Sequence, residues 1–163
     1  MADTPQPRWV VTDADAGDAS WHDAIIHGVL LDPAAGEIAF DLDWPLRWVA
    51  PEPGQTYFRS WAAPATLVFH GVVRVETSSA WPHDGTIIDL GLDDDPSPFT
   101  PQEAAGSHRV WLVKTVVGYW RIAAMGFAQY SRQLPVLVTG ASIGLDRRGG
   151  VSFARTRDIT IAG

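Results

Sequence analysis

The chain has 163 residues, eight of them tryptophan and none cysteine, and a formal net charge of −7 at neutral pH. A chain of this length can bury roughly 70% of its unfolded surface in one core. The absence of cysteine excludes disulfides and thiolate metal ligands. We predict a single domain over residues 1–163, with residues 1–19 as a loose N-terminal lead.

The charge is uneven along the sequence. Residues 1–95 carry a net charge of −12, and residues 96–163 carry +5. The two halves either neutralise each other inside the fold or leave an acidic face for a basic protein partner. The acidic run Asp93, Asp94 and Asp95 is the candidate acidic surface. Eleven arginines and one lysine against nineteen acidic residues do not make the basic footprint that phosphate backbones require, so we expect no nucleic-acid partner.

The first predicted elements are a short strand over residues 9–12, an acidic loop over residues 13–20, and a β-hairpin within residues 24–44. The hairpin shows the strongest period-2 alternation in the chain, which is typical of a strand with one face on a core and the other in water. The set predicted to lie in the core is Ile38, Phe40, Leu42 and Trp44. The set predicted to face water is Glu37, Ala39, Asp41 and Asp43.

The turn of this hairpin predicts its register. Asp32 can hydrogen-bond the turn, Pro33 has its φ angle pre-set, and Gly36 is free to take a left-handed conformation. These residues favour a four-residue loop that pairs Asp32 with Glu37. Counting outward then places His27 opposite Leu42, among apolar neighbours.

Short extended segments make up most of the remaining sequence. Prolines 51, 53 and 64 are expected between strands, where a missing N–H costs no ladder bond. A capping-box pattern at residues 100–103 indicates one short helix. The further strands are predicted at 55–61, 65–77, 86–92, 109–117, 119–130, 135–140 and 151–161. We therefore predict an all-β fold, an antiparallel β-sandwich or a strongly curved, barrel-like sheet of eight to ten strands with at most one short helix.

Four segments resemble an uncharacterised family of small bacterial all-β proteins. They are WHDAIIHG (21–28), FDLDWPLRWVAP (40–51), YFRSWAAPATLVFHGVV (57–73) and GFAQYSRQLPVL (126–137). The resemblance covers most of residues 20–140 and implies a single domain. No activity or catalytic residue is attached to the family. By analogy, small acidic bacterial proteins of this kind suggest the immunity proteins that neutralise toxins.

Trp21, His22, Asp23 and His27 form the densest group of residues with functional side chains. Two imidazoles and a carboxylate could bind zinc or iron if they converged. Residues 22 and 27 project to opposite faces of an extended strand, however. We therefore predict no metal site and no cofactor.

Two further sets of polar residues are candidates for binding or catalysis. Asp41 and Asp43 lie near 7 Å apart as i and i+2 residues of a strand, a spacing that permits glycoside chemistry but is also common on a solvated face, which we favour. Arginine beside tyrosine can hold a carboxylate or a phosphate, or can simply bond loop carbonyls. The residues of this second set, which could face each other, are Tyr57, Arg59, Tyr130 and Arg132.

The tryptophans divide into core residues and residues near element ends. Trp44, Trp111 and Trp120 are predicted to lie in the core. Exposed aromatic rings near element ends would be able to stack sugars or to anchor a protein interface. The tryptophans near element ends or on mixed faces are Trp9, Trp21, Trp48, Trp61 and Trp81.

No secretory leader pattern and no apolar run of membrane-spanning length occurs in the sequence, and none of the common catalytic motifs is present. We expect a non-enzymatic, cytoplasmic bacterial protein that binds another macromolecule through its acidic first half. The alternative is a small-ligand or carbohydrate-binding barrel or sandwich, and a weaker alternative is a hydrolase that uses His22, Asp23 or the Asp41 and Asp43 pair. The pocket of the first alternative would be lined by Trp21, His27, Trp44 and Tyr57.

Overall fold

The computed structural model describes residues 4–78, 85–96 and 106–158, and within them the chain forms two antiparallel β-sheets and no closed barrel. The predicted all-β sandwich is confirmed. The strands are β1 (Val10–Thr12), β2 (Ile25–Asp32), β3 (Glu37–Val49), β4 (Arg59–His70), β5 (Arg74–Thr77), β6 (Ile87–Leu92), β7 (Arg109–Thr115), β8 (Gly118–Ala124), β9 (Gly126–Ser131) and β10 (Val136–Thr139). A 3₁₀ helix (Asp13–Asp18) follows β1, and a four-residue helix α1 (Leu145–Arg148) follows β10.

The first sheet has the strand order β1-β9-β4-β3-β2, with β10 paired to one end of β4, and the second has the order β5-β8-β7-β6. The helix predicted at residues 100–103 lies outside the described residues. Among the residues that the structure describes, no helix is long and apolar enough to cross a membrane.

The hairpin register is confirmed at the turn and fails near the start of β2. Asp32 pairs with Glu37 and Val29 with Phe40, as the turn chemistry predicts. A β-bulge between Ile26 and Gly28 then shifts the pairing.

The two sequence segments 55–61 and 65–77 do not divide at Pro64. β4 continues through this proline. The Pro64 nitrogen faces the point along β4 where the neighbouring strand changes from β10 to β9. The Pro64 carbonyl accepts the Arg132 N–H at 2.8 Å on that side, and the nitrogen and carbonyl of a strand residue point the same way. The missing N–H therefore breaks no ladder bond.

Two predicted strands are divided because the chain crosses from one sheet to the other. The segment 65–77 breaks at Gly71, whose φ of +62° is a left-handed conformation that favours glycine. The segment 119–130 breaks at Met125. The crossings lie side by side, since Met125 N–H donates to His70 O at 3.0 Å and a Cβ on Gly71 would meet Met125 Cγ at 2.6 Å.

The core between the sheets is built on aromatic side chains in edge-to-face contact. The Phe69 ring lies 5.6 Å from that of Phe127 and 6.1 Å from that of Phe40. The Trp111 ring lies 5.1 Å from that of Phe127. The predicted core set Ile38, Phe40, Leu42 and Trp44 is buried. Trp111 is buried too, and Trp120 packs against the cluster while partly exposed.

Residues 151–158 of the last predicted strand do not form a strand, and residues 159–161 of it lie outside the described residues. Residues 149–158 have no regular secondary structure. They cross the outer face of the first sheet, the face turned away from the second sheet, through contacts with β2, β3 and β4.

Candidate functional site

Two aspartates of β3 are fully buried on the outer face of the first sheet. Asp41 and Asp43 are both 0% exposed, and Ala39 from the same alternating set is buried as well. The prediction that they face water is wrong. The physical reason is that the polypeptide after β10 covers this face, where Ile143 and Ser152 donate backbone N–H groups to the two carboxylates.

Asp41 is held between two buried arginines. Arg132 Nη2 donates to Asp41 Oδ1 at 2.7 Å, and Arg148 Nη2 donates to the same oxygen. Ser152 N–H donates to Oδ2 at 3.1 Å. Taking a lone charge out of water costs several kcal/mol, so a buried carboxylate requires such partners. Two guanidinium groups thus balance the two carboxylates of β3.

Asp43 has four partners from three parts of the chain. One partner is the Ser142 hydroxyl, which donates to Asp43 Oδ2 at 3.3 Å. Its Oδ2 lies 2.8 Å from His27 Nε2 and accepts the Ile143 N–H at 2.8 Å, while Arg148 Nε is 3.3 Å from Oδ1. Burial alone would raise the pKa of the Asp43 carboxyl. The hydrogen bond with His27, the charge of Arg148 and the Ile143 amide outweigh burial and hold that pKa below its usual value of 3.8.

The β-bulge in β2 brings His27 to these carboxylates. Ile26 pairs with Leu42 and Gly28 with Asp41, so His27 has no partner residue in β3. The predicted position of His27 opposite Leu42 in the core is wrong, because the bulge takes the side chain out of the alternation and turns it to the outer face. We name His27, Asp41, Asp43, Arg132 and Arg148 the charge cluster.

The charge cluster fastens the later part of the chain to the sheet. Its two aspartates and two arginines are closed to solvent, so a substrate has no access to them in this conformation. Arg148 contacts the carboxylates of both Asp41 and Asp43, yet no sequence pattern identifies it as a candidate. Nothing in the sequence DRRGG separates buried Arg148 from exposed Arg147, its neighbour.

The lowered pKa of Asp43 predicts a pH dependence of stability. Because the folded pKa lies below the unfolded one, the carboxylate contributes stability that is fully present above about pH 4 and is lost as the pH falls through the folded value. In urea unfolding at a series of pH values, the wild-type free energy of unfolding should therefore fall more steeply below about pH 4 than that of Asp43→Asn. Equal slopes for the two proteins would contradict this assignment.

The Trp21, His22 and Asp23 block is divided between the core and the surface. Trp21 is buried between the sheets, where its Nε1–H donates to Gln129 Oε1 at 2.6 Å. His22 Nδ1 lies 2.9 Å from Asp23 Oδ2, and both side chains are exposed. Asp23 has a φ of +68°, and its N–H donates to the Ile87 carbonyl at 2.8 Å. These two residues shape the turn that enters β2.

Tyr57 and Arg59 do not meet Tyr130 and Arg132. Tyr130 pairs with Thr66 of β4, whereas Arg59 lies seven residues earlier on that strand, a separation of about 23 Å. Arg59 bonds Glu52 at 2.8 Å, and the Tyr57 side chain is exposed. The structure also separates the residues of the predicted ligand pocket, since Trp21 and Trp44 lie in the core and His27 lies on the outer face.

The acidic run is partly neutralised within the fold. The Asp93 side chain is 4% exposed and lies 2.7 Å from Arg121 Nε. Asp94 and Asp95 are exposed. Within the described ranges, arginines that follow residue 95 pair in this way with five acidic residues that precede residue 96, namely Glu37, Asp41, Asp43, Glu76 and Asp93. Part of the charge asymmetry between the halves is thus neutralised within the fold.

The described residues form open grooves, two of which differ in size and in lining. The larger, about 390 Å³, lies on the outer face of the second sheet and includes Leu112, Lys114, Tyr119 and Arg121. The hydrogen bond from Tyr119 to Glu76 raises the pKa of the tyrosine above its usual value of 10. The smaller, about 280 Å³, lies beside Trp44. Over residues 4–78, 85–96 and 106–158, no group of three or more histidines or acids could hold a metal ion.

The described aromatic side chains that are exposed all lie in one segment. Trp48, Tyr57 and Phe58 are 41%, 72% and 55% exposed; Trp48 lies at the end of β3, and Tyr57 and Phe58 end the loop that leads into β4. We name residues 48–58 the hairpin tip.

Comparison with known proteins gave no matching family model, no matching curated protein and no matching solved structure. The family resemblance of the sequence therefore stays a prediction.

Proposed function

We propose that the protein acts by binding another protein and that the hairpin tip is the contact surface. The observation that carries this proposal is the concentration of exposed aromatic side chains at Trp48, Tyr57 and Phe58. Aromatic side chains are enriched among the residues that dominate the binding energy of protein interfaces, because each buries a large area with only two rotatable side-chain bonds.

The hairpin tip is held by ordered backbone contacts, which lowers the entropy lost on binding. Gly140 N–H donates to Phe58 O at 2.9 Å, and Gln55 N–H donates to Glu52 O at 2.8 Å. Arg59 bonds Glu52 across the loop. Within this frame the three aromatic side chains point away from their own core, and a partner with apolar pockets would bury them.

The acidic surface is a weaker support for binding than the hairpin tip. Five acidic residues of the first half already bond arginines of the second half, as described above. Asp94 and Asp95 remain exposed. Exposed charges such as these steer association and contribute less to affinity, so we assign them a secondary part in binding a partner with a basic rim.

Carbohydrate binding is the second candidate function, and the same exposed rings favour it. Aromatic side chains on a β-sandwich can stack against sugar rings as well as against protein. An immunity-like role in the bacterial cytoplasm is the more specific form of the protein-binding proposal. It would require the bound partner to be a toxin that loses its activity in the complex.

The proposal is tested by affinity capture with matched variants. The wild-type protein, Tyr57→Ser/Phe58→Ser and Leu134→Ser are each immobilised and exposed to an extract of the source cells. Leu134 is 63% exposed and lies outside the hairpin tip, so it controls for the loss of an exposed apolar side chain. We expect a protein that is retained by the wild type and by Leu134→Ser and is lost with the double variant.

The captured protein is then purified and titrated against the same three proteins. Loss of a hot spot worth about 2 kcal/mol weakens affinity roughly 30-fold, and we expect at least this change for the double variant. Equal affinity of all three proteins would contradict the proposal. Tip-dependent binding to an oligosaccharide array with no retained protein would assign the surface to carbohydrate instead.

A further inference from the structure

Residues 151–158, which we name the strap, cross the outer face of the first sheet at an angle to its strands. At one end, Val151 and Phe153 pack over Gly28 of β2. At the other, the Arg157 guanidinium lies 3.7 Å from the centre of the Trp9 ring, next to β1. The strap thus spans the whole width of the sheet, from one edge strand to the other.

The sheet holds the strap by its main chain. Arg132 Nη1 donates to Ser152 O at 2.5 Å, and Ser152 N–H donates to Asp41 Oδ2 at 3.1 Å. The buried ion pair of Arg132 and Asp41 therefore binds both the carbonyl and the N–H of Ser152. Thr66 Oγ1 accepts from Arg132 and donates to Ala154 O at 2.7 Å. We name Asp41, Arg132 and Thr66 the clamp.

The surface beneath the strap is shaped for close approach of a polypeptide. A Cβ on Gly28 would lie 2.8 Å from Val151 Cγ1 and 3.2 Å from Phe153 Cζ. The Arg155 guanidinium adds an ion pair with Glu37 of β3, with Nη1 at 3.2 Å from Oε1. The outer face thus provides the clamp, a position at Gly28 where no side chain obstructs the strap, and the Glu37 carboxylate at its periphery.

Few backbone bonds tie the strap to the sheet. In the part of the chain that the structure describes, one backbone–backbone hydrogen bond joins the two, from Asp158 N–H to Arg132 O at 2.8 Å. The chain enters the strap through Gly149 and Gly150, whose φ angles are +81° and +85°. Gly149 caps α1, and the Gly150 N–H bonds Leu145 O. Rotation about the φ and ψ angles of Gly150 would redirect the strap without unwinding α1.

We propose that the outer face of the first sheet is a binding site for an extended polypeptide and that two copies of this chain can exchange straps on it. The strap is the occupant that the structure shows, and the strap of a second copy would make the same contacts with the clamp. Exchange of an identical element adds no new interface chemistry and changes only the hinge. This site is separate from the hairpin tip, and its test does not depend on the proposed function.

Cross-linking between copies tests the exchange, because the chain contains no cysteine. Glu37→Cys and Arg155→Cys chains are mixed at high concentration in sub-denaturing urea, returned to buffer and treated with a short bismaleimide. Strap exchange should give a covalent heterodimer. The control mixture pairs Glu37→Cys with Leu134→Cys, an exposed position outside the strap, and should give little product. A single chain with both Glu37→Cys and Arg155→Cys should cross-link internally when dilute.

The hinge provides a second, independent readout. A left-handed conformation is costly for alanine, so Gly150→Ala strains the closed chain and should raise the heterodimer yield roughly ten-fold. Gly149→Ala is the matched control, because Gly149 caps α1 in both arrangements, and it should leave the yield unchanged.

Internal cross-linking without heterodimer above the control overturns the exchange. Failure of the internal cross-link overturns the docking of the strap on this face, and equal yields from the two glycine variants overturn the hinge.

Discussion

Replacement of Arg132 by methionine should lower the free energy of unfolding by about 3–5 kcal/mol, the usual cost of removing one partner from a buried ion pair. Arg132 is 1% exposed and donates to Asp41, Thr66 and the Ser152 carbonyl. Methionine retains most of the side-chain length, so the expected loss comes chiefly from the unbalanced carboxylate and the unbonded main chain. Urea unfolding monitored by circular dichroism would measure it.

Arg157→Met is the matched control for this experiment. Arg157 is exposed and stacks on Trp9 at the surface. Surface cation–π contacts contribute about 0.5–1 kcal/mol, so we expect a loss no greater than this. If the Arg132 variant loses as little as the Arg157 variant, the charge cluster does not hold the strap.

Replacement of Phe69 by alanine should cost about 3–5 kcal/mol, as for other phenylalanine truncations in a packed core. Phe69 is 0% exposed and contacts Phe40, Trp111 and Phe127. Truncation leaves a cavity among rings that are themselves fixed by edge-to-face packing. The shift in the urea midpoint, with an unchanged slope, gives the loss in stability.

Phe58→Ala removes the same side chain from the hairpin tip. Phe58 is 55% exposed, and surface substitutions usually change stability by less than about 0.5 kcal/mol. A loss below about 1 kcal/mol in the Phe69 variant would mean that the core of the sandwich is not centred on these rings.

The hairpin of β2 and β3 shows how far the sequence can predict this fold. Its alternation separated the core residue Phe40 from Asp41, and the residues Asp32 and Gly36 set the register at the turn. These signals are local, since they depend on neighbouring residues and on backbone sterics. The bulge at His27 was not predictable in this way, because the extra residue is stabilised by contact with Asp43 across the sheet.

The charge cluster could not be predicted because its members are distant in sequence. Alternation distinguishes the two faces of β3 but does not show whether a later segment covers the polar face. Asp41 is 91 residues from Arg132 and 107 from Arg148. For the same reason, the division of β4 and β5 at Gly71 and of β8 and β9 at Met125 depends on a crossing between sheets and not on local pattern.

The hairpin tip was partly accessible to sequence reasoning. Trp48 lies near an element end, where exposed rings were expected, and Tyr57 was a candidate binding residue. Phe58 was expected on a strand with Tyr57 and Arg59, whereas β4 begins at Arg59 and leaves both rings outside the sheet. Strand pairing begins at Arg59, so the rings of the preceding Tyr57 and Phe58 are exposed.

Salt dependence of complex formation is the measurement that tests the account most directly. The Debye length falls from roughly 14 Å to 4 Å between about 50 and 500 mM salt. If the hairpin tip carries the affinity, the dissociation rate of the captured partner should change little over this range, and charge reversal in Asp94→Lys/Asp95→Lys should lower mainly the association rate, with a correspondingly modest rise in Kd. A Kd that rises steeply with salt, together with loss of binding in the charge-reversed variant, would contradict the account and assign binding to the acidic surface.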